Sequence, residues 1–316
     1  MSVDVSVIIA AYNVESYIER AVRSVLDQQD ISFEIIAVDD CSTDNTFAVL
    51  NAIRDPRLKI MKTPKNAGPG AARNTGIKAA AGKWIAILDG DDAFAPGRLA
   101  ACIKRGKEDR AQIVVDNITV CREDTGAKFP MFPLERFGAT EHITLEMFLR
   151  EKFSPLEKYT LGYLKPIFSA TFLREKHLTY NEALPIGEDW LIVAQSLAEG
   201  AKCSVDPGQG YLYTARSGSI SYRQSADSIT AILDTDQSFL NHYGPLSAPA
   251  MEAFARRTRT LKRRLAFTHL VNAIKQKNIP AIIKAIHANP ACILYLWQPV
   301  KARIERITSN LGGGTA

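Results

Sequence analysis

Trp84-Ile-Ala-Ile-Leu-Asp-Gly-Asp-Asp92 is an apolar run that ends in three carboxylates within four residues. Its apolar part, 84–88, has the length and composition of a buried β-strand, and the glycine predicts a tight turn directly after it. Strands without a polar face are typical of parallel sheets that helices cover on both sides. This stretch therefore predicts an α/β fold with a carboxylate-rich turn at the end of a central strand.

The chain on either side alternates between strand-type and helix-type runs. We predict further strands at 5–10, 33–38, 58–61 and 112–116, helices at 15–28, 71–80 and 96–109, and one helix that begins within 42–46 and ends at 53. This alternation builds a Rossmann-like, mostly parallel sheet flanked by helices. Because ligands of such sheets lie beyond the carboxyl ends of the strands, we expect Tyr12, Asp39 and Asp89 to meet in one cleft.

The rest of the chain is less periodic up to about residue 224 and helical after it. We predict loops, short helices and an extra strand at 165–169 within 118–180, then a helix at 190–199 and a strand at 210–214. The segment 225–316 forms a C-terminal helical extension with proline breaks. We therefore expect two regions, 1–224 and 225–316.

Charge is concentrated in the C-terminal extension. Residues 250–316 contain twelve Lys or Arg against two acids, whereas the whole chain contains 39 against 34. Apolar residues lie between these bases at helical spacing, as in helices that lie on an anionic bilayer. Helices packed on the first region with solvated basic faces are an equally good interpretation. The first interpretation predicts peripheral membrane association that weakens with salt.

Cysteine usage and the termini predict the compartment. The five cysteines form no CxxC pair or cluster, which indicates neither a zinc site nor a disulfide framework. The first residues have no signal-peptide pattern, and the longest apolar run near the C-terminus, 291–297, is too short to cross a bilayer. We expect a cytoplasmic protein, peripheral on the cytoplasmic face of the inner membrane if the basic extension binds lipid.

Three groups of polar residues are candidates for chemistry. Asp89 and Asp91 are one residue apart on the predicted turn, where both could face one hard cation such as Mg²⁺ or Mn²⁺ that bridges nucleotide phosphates. An acidic surface loop without a ligand would have the same sequence. Asp39 and Asp40 could accept hydrogen bonds from a base or ribose, and they equally fit the acids that stabilise a helix N-terminus.

Two arginines and an acidic pair complete the candidates. Arg73 follows a glycine-containing loop, 66–70, from which its guanidinium could grip phosphate or a base edge. Arg216 closes a predicted strand and could cover a diphosphate. Glu188 and Asp189 open a helix, where they stabilise its dipole or, in a cleft that holds a donor, supply a general base.

These strings, in this order, resemble the inverting glycosyltransferase family 2. The matching strings are Val7-Ile-Ile-Ala-Ala-Tyr-Asn13, Val38-Asp-Asp-Cys-Ser-Thr-Asp44, Gly70-Ala-Ala-Arg-Asn-Thr-Gly76, Leu88-Asp-Gly-Asp-Asp92, Gly187-Glu-Asp189 and 213–221. The resemblance covers about two thirds of the chain. It departs from the family at Cys41, where the family usually has glycine.

The resemblance implies a GT-A fold, with a catalytic domain at 1–224 and a basic helical region at 225–316. Within the domain, 1–117 is the nucleotide-binding half and 118–224 the acceptor half. Residue roles are implied as well. Glu188 and Trp190, beside the implied base, are candidates for acceptor contacts. The implied donor and metal contacts are Tyr12 and Asp39 to the nucleobase, Arg73 beside the base and diphosphate, Asp89 to ribose or metal, Asp91 to the metal, Asp189 as base and Arg216 on the leaving diphosphate.

The narrower likeness is to bacterial exopolysaccharide glucosyltransferases of the succinoglycan kind. It implies UDP-glucose as donor, a lipid-linked oligosaccharide as acceptor, and Mn²⁺ or Mg²⁺ as cofactor. A non-catalytic sugar-nucleotide-binding scaffold at the membrane is the alternative. A sugar nucleotidyltransferase would need a glycine-rich, arginine-bearing loop directly after the first strand, which 14–17 does not supply. We expect no nucleic-acid partner, because the basic extension lacks a recognised motif.

Overall fold

The sheet forms where the sequence is apolar on both strand faces. In the computed structural model, which describes residues 3–150, 159–216, 225–290 and 293, β1 (Val5–Ala11), β2 (Phe33–Asp39), β3 (Leu58–Lys62) and β4 (Trp84–Asp89) are parallel neighbours in the order β3-β2-β1-β4. Nearly every residue of β1, β2 and β4 is buried. The predicted mostly parallel α/β sheet is confirmed.

The sheet continues beyond β4 through later strands of the chain. Its order is β4-β9-β6-β10-β5, where β9 (Ile167–Ser169) is antiparallel to both β4 and β6 (Ile113–Arg122). β10 (Cys203–Ala215) is parallel to β6, with a register shift between Asp206 and Tyr211. The short strands are β5 (Ala93–Phe94), β7 (Lys128–Pro130) and β8 (His142–Ile143).

Helices cover the sheet. The helices of this part are α1 (Ile18–Leu26), α2 (Thr46–Ala52), α3 (Pro69–Lys78), α4 (Arg98–Asp109), α5 (Leu134–Gly138), α6 (Leu145–Leu149), a 3-10 turn (Leu161–Tyr163), α7 (Ala170–Glu175) and α8 (Glu188–Ala198). α3 lies very close to β1, since a Cβ added to Gly76 would be 2.5 Å from Cγ2 of Ile8. Arg73, three residues earlier on the same helix, is buried.

The chain divides into two units, residues 1–222 and 223–316. The described part of the second unit consists of α9 (Ala226–Tyr243), α10 (Ala248–Lys275) and α11 (Ile279–Ala288). α10 and α11 form a helical hairpin around Ala266, Leu270 and Ala285. Among the described residues, no helix combines the length and the apolar character that crossing a membrane requires.

Candidate active site

Three predicted site residues lie together at the carboxyl edge of the sheet. Tyr12 follows β1 directly, Asp39 ends β2 and Asp89 ends β4. Asp39 is paired in register with Ala11, and Asp89 with Ala10. The edge thus places one half-exposed aromatic ring and two carboxylates on three adjacent strands.

Asp39 is fully buried and only partly satisfied. Its Oδ2 accepts a 3.3 Å hydrogen bond from the Ser42 amide and lies 3.7 Å from Lys62 Nζ. Its Oδ1 has no hydrogen-bond partner among the residues that the structure describes. A buried carboxylate oxygen is costly to leave unpaired, so Oδ1 is suited to accept a hydrogen bond from a ligand.

Asp40, unlike Asp39, is fully engaged in hydrogen bonds to a neighbouring loop. Its carboxylate accepts hydrogen bonds from the Thr63 hydroxyl at 2.7 Å, the Gly68 amide at 2.7 Å and the Ala67 amide at 3.1 Å. These bonds fix the loop that leads into α3. Asp40 is therefore a structural residue, and the interpretation of 39–40 as one functional pair applies to Asp39 alone.

Cys41 adopts the left-handed backbone conformation, with φ of +59°. This region favours glycine because a Cβ there crowds the following carbonyl. The geometry gives a physical reason for the glycine that the family usually has at this position.

Asp89 belongs to a largely buried cluster of ion pairs. Its members are Arg73, Asp89, Lys165, Glu188 and Asp189. The Arg73 guanidinium is within 2.7 Å of Asp89, 2.6 Å of Glu188 and 2.9 Å of Asp189. Lys165 Nζ lies 2.7 Å from both Asp89 Oδ2 and Asp189 Oδ2. Two cations therefore hold three carboxylates in fixed positions.

The contacts of Arg73 differ from the expected grip on the nucleotide. Both of its terminal nitrogens face carboxylates of the cluster, and its ring neighbour is Tyr180, 5.1 Å away. Arg73 thus positions the acids, and it does so across 115 residues of sequence to Glu188.

Lys165 was not among the residues that the sequence singled out. It precedes β9, and its only sequence signal is its place just before a short apolar strand. Nothing in the local pattern distinguishes it from a surface lysine. Its position depends on the insertion of β9 between β4 and β6, which the sequence did not predict.

The cluster sets the charge of its members. Burial raises the pKa of Asp89, but the charges of Lys165 and Arg73 outweigh it and hold that pKa well below its usual range. Burial lowers the pKa of Lys165, and the charges of Asp189 and Asp89 more than offset this, so its pKa is raised. Burial raises the pKa of Glu188, and the charge of Asp189 raises it further. Asp89 and Lys165 are therefore charged at neutral pH.

Asp91 and Arg216 form a second, more exposed pair. Arg216 Nε donates a 2.9 Å hydrogen bond to Asp91 Oδ2, and Arg216 Nη2 lies 2.8 Å from the same oxygen. Its guanidinium also stacks on Tyr17 at 5.0 Å. Arg20 fixes the same turn by donating to the Asp91 carbonyl oxygen at 2.6 Å. The remainder of the motif at 213–221 lies outside the described residues from 217 onward.

Asp92, the third acid of the turn, is structural. It is buried and accepts hydrogen bonds of 2.7 Å from the Tyr211 hydroxyl and from the Thr214 amide. Burial and the nearby charges of Asp91 and Asp89 raise its pKa. The contacts tie the turn after β4 to β10. The three carboxylates of the motif therefore have three different surroundings.

The acids of the turn fit a divalent cation to different degrees. Among the described residues, no three His, Cys, Asp or Glu side chains are arranged so that they could hold a metal ion together. Mg²⁺ and Mn²⁺ are often held by one or two carboxylates together with phosphate oxygens and water, so a single protein carboxylate suffices. Asp91 is partly exposed and fits this role. Asp89 fits it less well, because a cation lies 2.7 Å from each of its oxygens.

Glu188 and Trp190 are buried rather than open to an acceptor. Glu188 is 6% exposed and bound to Arg73, and Trp190 is 5% exposed and stacks on Phe148. Their burial argues against the direct acceptor contacts that the sequence suggested. Asp189, by contrast, keeps 16% of its side chain exposed.

Replacing Lys165 with methionine is expected to destabilise the fold by about 3 kcal/mol, because it leaves two largely buried carboxylates short of a cation. Lys176→Met is the matched control. The partly exposed pair that Lys176 forms with Glu199 at 3.0 Å should contribute less than about 1 kcal/mol. Urea denaturation measures both differences.

The Lys165→Met effect should also depend on pH. Lys165 helps to depress the folded-state pKa of Asp89, so this stability is present above about pH 4, the unfolded value, and is lost as the pH falls through the folded value. Equal unfolding midpoints for wild type and Lys165→Met at neutral pH would show that the cluster does not stabilise the fold.

The sequence matches the family model described as Glycosyl transferase family 2 over residues 6–172. Succinoglycan biosynthesis protein ExoO of Rhizobium meliloti (strain 1021) is 39% identical over 307 residues, which are 97% of this chain and 88% of that protein. Succinoglycan biosynthesis protein ExoU of the same strain is 30% identical over 295 residues, 92% of this chain and 84% of that protein.

A solved structure shares the fold. The crystal structure of S. aureus TarS 1-349 in complex with UDP-GlcNAc aligns with a TM-score of 0.63 and 23% identity, over 90% of this chain and 79% of that chain. The likeness confirms the predicted GT-A type of sheet.

Proposed function

Because the chain belongs to glycosyl transferase family 2, we propose that it transfers a hexose with inversion from a nucleoside-diphosphate sugar to a hydroxyl of a growing oligosaccharide. The observation that carries the proposal is the position of Asp189. Arg73 and Lys165 hold this carboxylate beside Asp89, whose strand also adjoins the strand before Tyr12. A fixed carboxylate next to a nucleotide site can act as the base of a single displacement.

The donor site in this proposal is the carboxyl edge of the sheet, within the nucleotide-binding half at 1–117. Asp39 Oδ1, which is buried and has no partner among the described residues, accepts a hydrogen bond from the nucleobase. The half-exposed ring of Tyr12 stacks on the nucleobase. Asp89 accepts from the ribose. Arg73 holds Asp89 and Asp189 in place instead of touching the diphosphate.

The proposed reaction is one step. As the acceptor oxygen forms a bond to the anomeric carbon, Asp189 takes the proton of that hydroxyl, and the bond from the anomeric carbon to the diphosphate oxygen breaks with its electron pair. Attack from the face opposite the leaving group inverts the configuration. Arg216 stabilises the charge of the departing diphosphate.

A divalent metal, Mn²⁺ or Mg²⁺, fits beside Asp91. When bound there, it would neutralise charge on the diphosphate and make it a better leaving group. Asp91 would be its protein ligand, with Asp89 as a second candidate. Arg216 orients the Asp91 carboxylate by its two contacts to Oδ2 and leaves Oδ1 for the cation.

We further propose that the donor is UDP-glucose and that the acceptor is a lipid-linked oligosaccharide in bacterial exopolysaccharide biosynthesis. The support is the likeness to the two succinoglycan biosynthesis proteins and to TarS, whose structure holds UDP-GlcNAc. The acceptor binds the half at 118–224, and the basic region at 225–316 makes peripheral contact with an anionic membrane on the cytoplasmic face of the inner membrane.

A donor screen tests the proposal. Purified protein is incubated with UDP-glucose, UDP-galactose, UDP-GlcNAc or GDP-mannose, with and without Mn²⁺, and release of nucleoside diphosphate is measured. The expected result is metal-dependent release from UDP-glucose above all others. Release from another donor would correct the sugar only. Calorimetric binding of a donor that is never consumed would instead support the scaffold.

A further inference from the structure

The tip of the hairpin formed by α10 and α11 exposes apolar side chains. Ile279 is 68% exposed and Ile283 is 63% exposed. They are four residues apart on α11, so they are neighbours on one helix face. Ile274, near the end of α10, is also exposed. Three large isoleucines within ten residues form a patch that water solvates poorly.

Packing within the hairpin does not account for these isoleucines. The side of α11 that faces α10 is already supplied by Ile282, Ala285 and Ile286. Ile279 and Ile283 point away from that small core, as their exposure shows. The described part of the hairpin therefore leaves this second apolar face uncovered.

Lysines surround the patch. Lys275, Lys277 and Lys284 are all exposed at the same tip. A lysine in the last turn of a helix interacts favourably with the helix dipole, and this would account for Lys275 but not for Lys277 or Lys284. Residues 253–290 contain nine Lys or Arg and no Asp or Glu. Residues 253–290, which include the whole hairpin tip, therefore carry only positive formal charges.

We infer that the hairpin tip, defined as Ile274, Lys275, Lys277, Ile279, Ile283 and Lys284, inserts into the interface of an anionic lipid bilayer. The isoleucines enter the boundary between headgroups and acyl chains, and the lysines contact anionic headgroups. This combination of an apolar face with flanking lysines is what interfacial helices use. The inference names the surface for the membrane contact in the proposed function and rests on that part of it alone.

Charge favours a bilayer over a second copy of the chain. In a two-fold dimer the same patch would meet itself, and the lysines of both copies would be brought together. Like charges at such short range are unfavourable, whereas an anionic surface neutralises all of them.

Vesicle co-sedimentation of the full chain tests the inference. The probes are vesicles of phosphatidylcholine alone and of phosphatidylcholine mixed with phosphatidylglycerol, at low and high salt and without donor. Wild type is expected to bind the mixed vesicles and to bind them less at high salt. The variant with Ile279→Asp and Ile283→Asp should bind at least about tenfold more weakly, because two buried apolar side chains become charged.

Matched controls separate the tip from general effects of charge and folding. Met251→Asp changes an exposed apolar residue at the other end of α10 and should bind as wild type. Lys275→Gln with Lys277→Gln and Lys284→Gln should weaken binding at least about tenfold. The same change at three exposed lysines of the first unit should have little effect. Those control residues are Lys78, Lys104 and Lys107.

Each other outcome overturns the inference in a distinct way. Wild type that stays in the supernatant would remove the membrane contact, while the donor screen judges glycosyl transfer separately. Binding that persists in both tip variants would place the contact on another surface. A monomer produced from a dimer by Ile279→Asp and Ile283→Asp would identify a second copy as the occupant. Circular dichroism and thermal unfolding confirm that the variants fold.

Discussion

Replacing Asp189 with asparagine is expected to lower kcat by at least about a hundredfold, the typical contribution of a general base. Asparagine has nearly the same shape but cannot take the proton of the acceptor hydroxyl. Donor binding should survive, because the proposed donor contacts are Tyr12, Asp39 and Asp89 at the strand ends, and the substitution leaves all three in place. Steady-state kinetics with the preferred donor gives kcat, and calorimetry gives the donor Kd.

Glu188→Gln is the control for this substitution. Glu188 precedes Asp189, contacts Arg73 at 2.6 Å and is buried. Glutamine has nearly the same shape, and its side-chain oxygen can still accept a hydrogen bond from Arg73. Glu188→Gln should therefore retain most of the activity. If Asp189→Asn kept wild-type turnover while Glu188→Gln lost it, the base would be Glu188.

The fold was predictable because its first strands are uniform. The strands at 5–10, 33–38, 58–61 and 84–88 were each located to within one or two residues, since apolar runs bounded by polar turns have few alternatives. Because ligands of parallel sheets lie beyond the carboxyl ends of the strands, Tyr12, Asp39 and Asp89 could then be predicted to lie in one cleft. None of these steps needed information from distant parts of the chain.

The middle of the chain was less predictable because its strands are short and pair with distant segments. β5, β7 and β8 span two or three residues each, too few to show a period of two. β9 is antiparallel between β4 and β6, and this insertion brings Lys165 to Asp89. The cluster depends on contacts between residues far apart in sequence, which local patterns do not encode.

Adjacent acids in the two acid-rich motifs have different roles, which the sequence did not reveal. Asp39 and Asp40 are adjacent, yet Asp40 holds the loop before α3 while Asp39 keeps an oxygen without a described partner. Asp91 and Asp92 are adjacent, yet Asp92 is buried against Tyr211. Neighbouring residues at a strand end point in different directions, so one of each pair faces the interior. The sequence alone gives the composition of the pair but not this assignment.

Replacing Asp91 with asparagine is expected to reduce kcat/KM by about a hundredfold or more and to raise the Mn²⁺ concentration needed for activity. A metal ion that stabilises a leaving group contributes several kcal/mol, and about 1.4 kcal/mol corresponds to a factor of ten. The substitution removes the carboxylate that fits the metal. Titration of the initial rate with Mn²⁺ measures both effects.

Asp91→Asn also weakens the ion pair with Arg216, so two further variants are needed. One controls for the loss of a carboxylate, and the other measures the effect of losing the ion pair alone. Asp55→Asn removes a carboxylate that Arg57 contacts through two nitrogens at 3.0 and 2.9 Å, away from the cleft, and should leave kcat/KM unchanged. Arg216→Met should lower turnover but leave the Mn²⁺ midpoint near that of wild type. An Asp91→Asn enzyme with the wild-type Mn²⁺ midpoint and only the loss seen in Arg216→Met would show that Asp91 positions the arginine and does not ligate the metal.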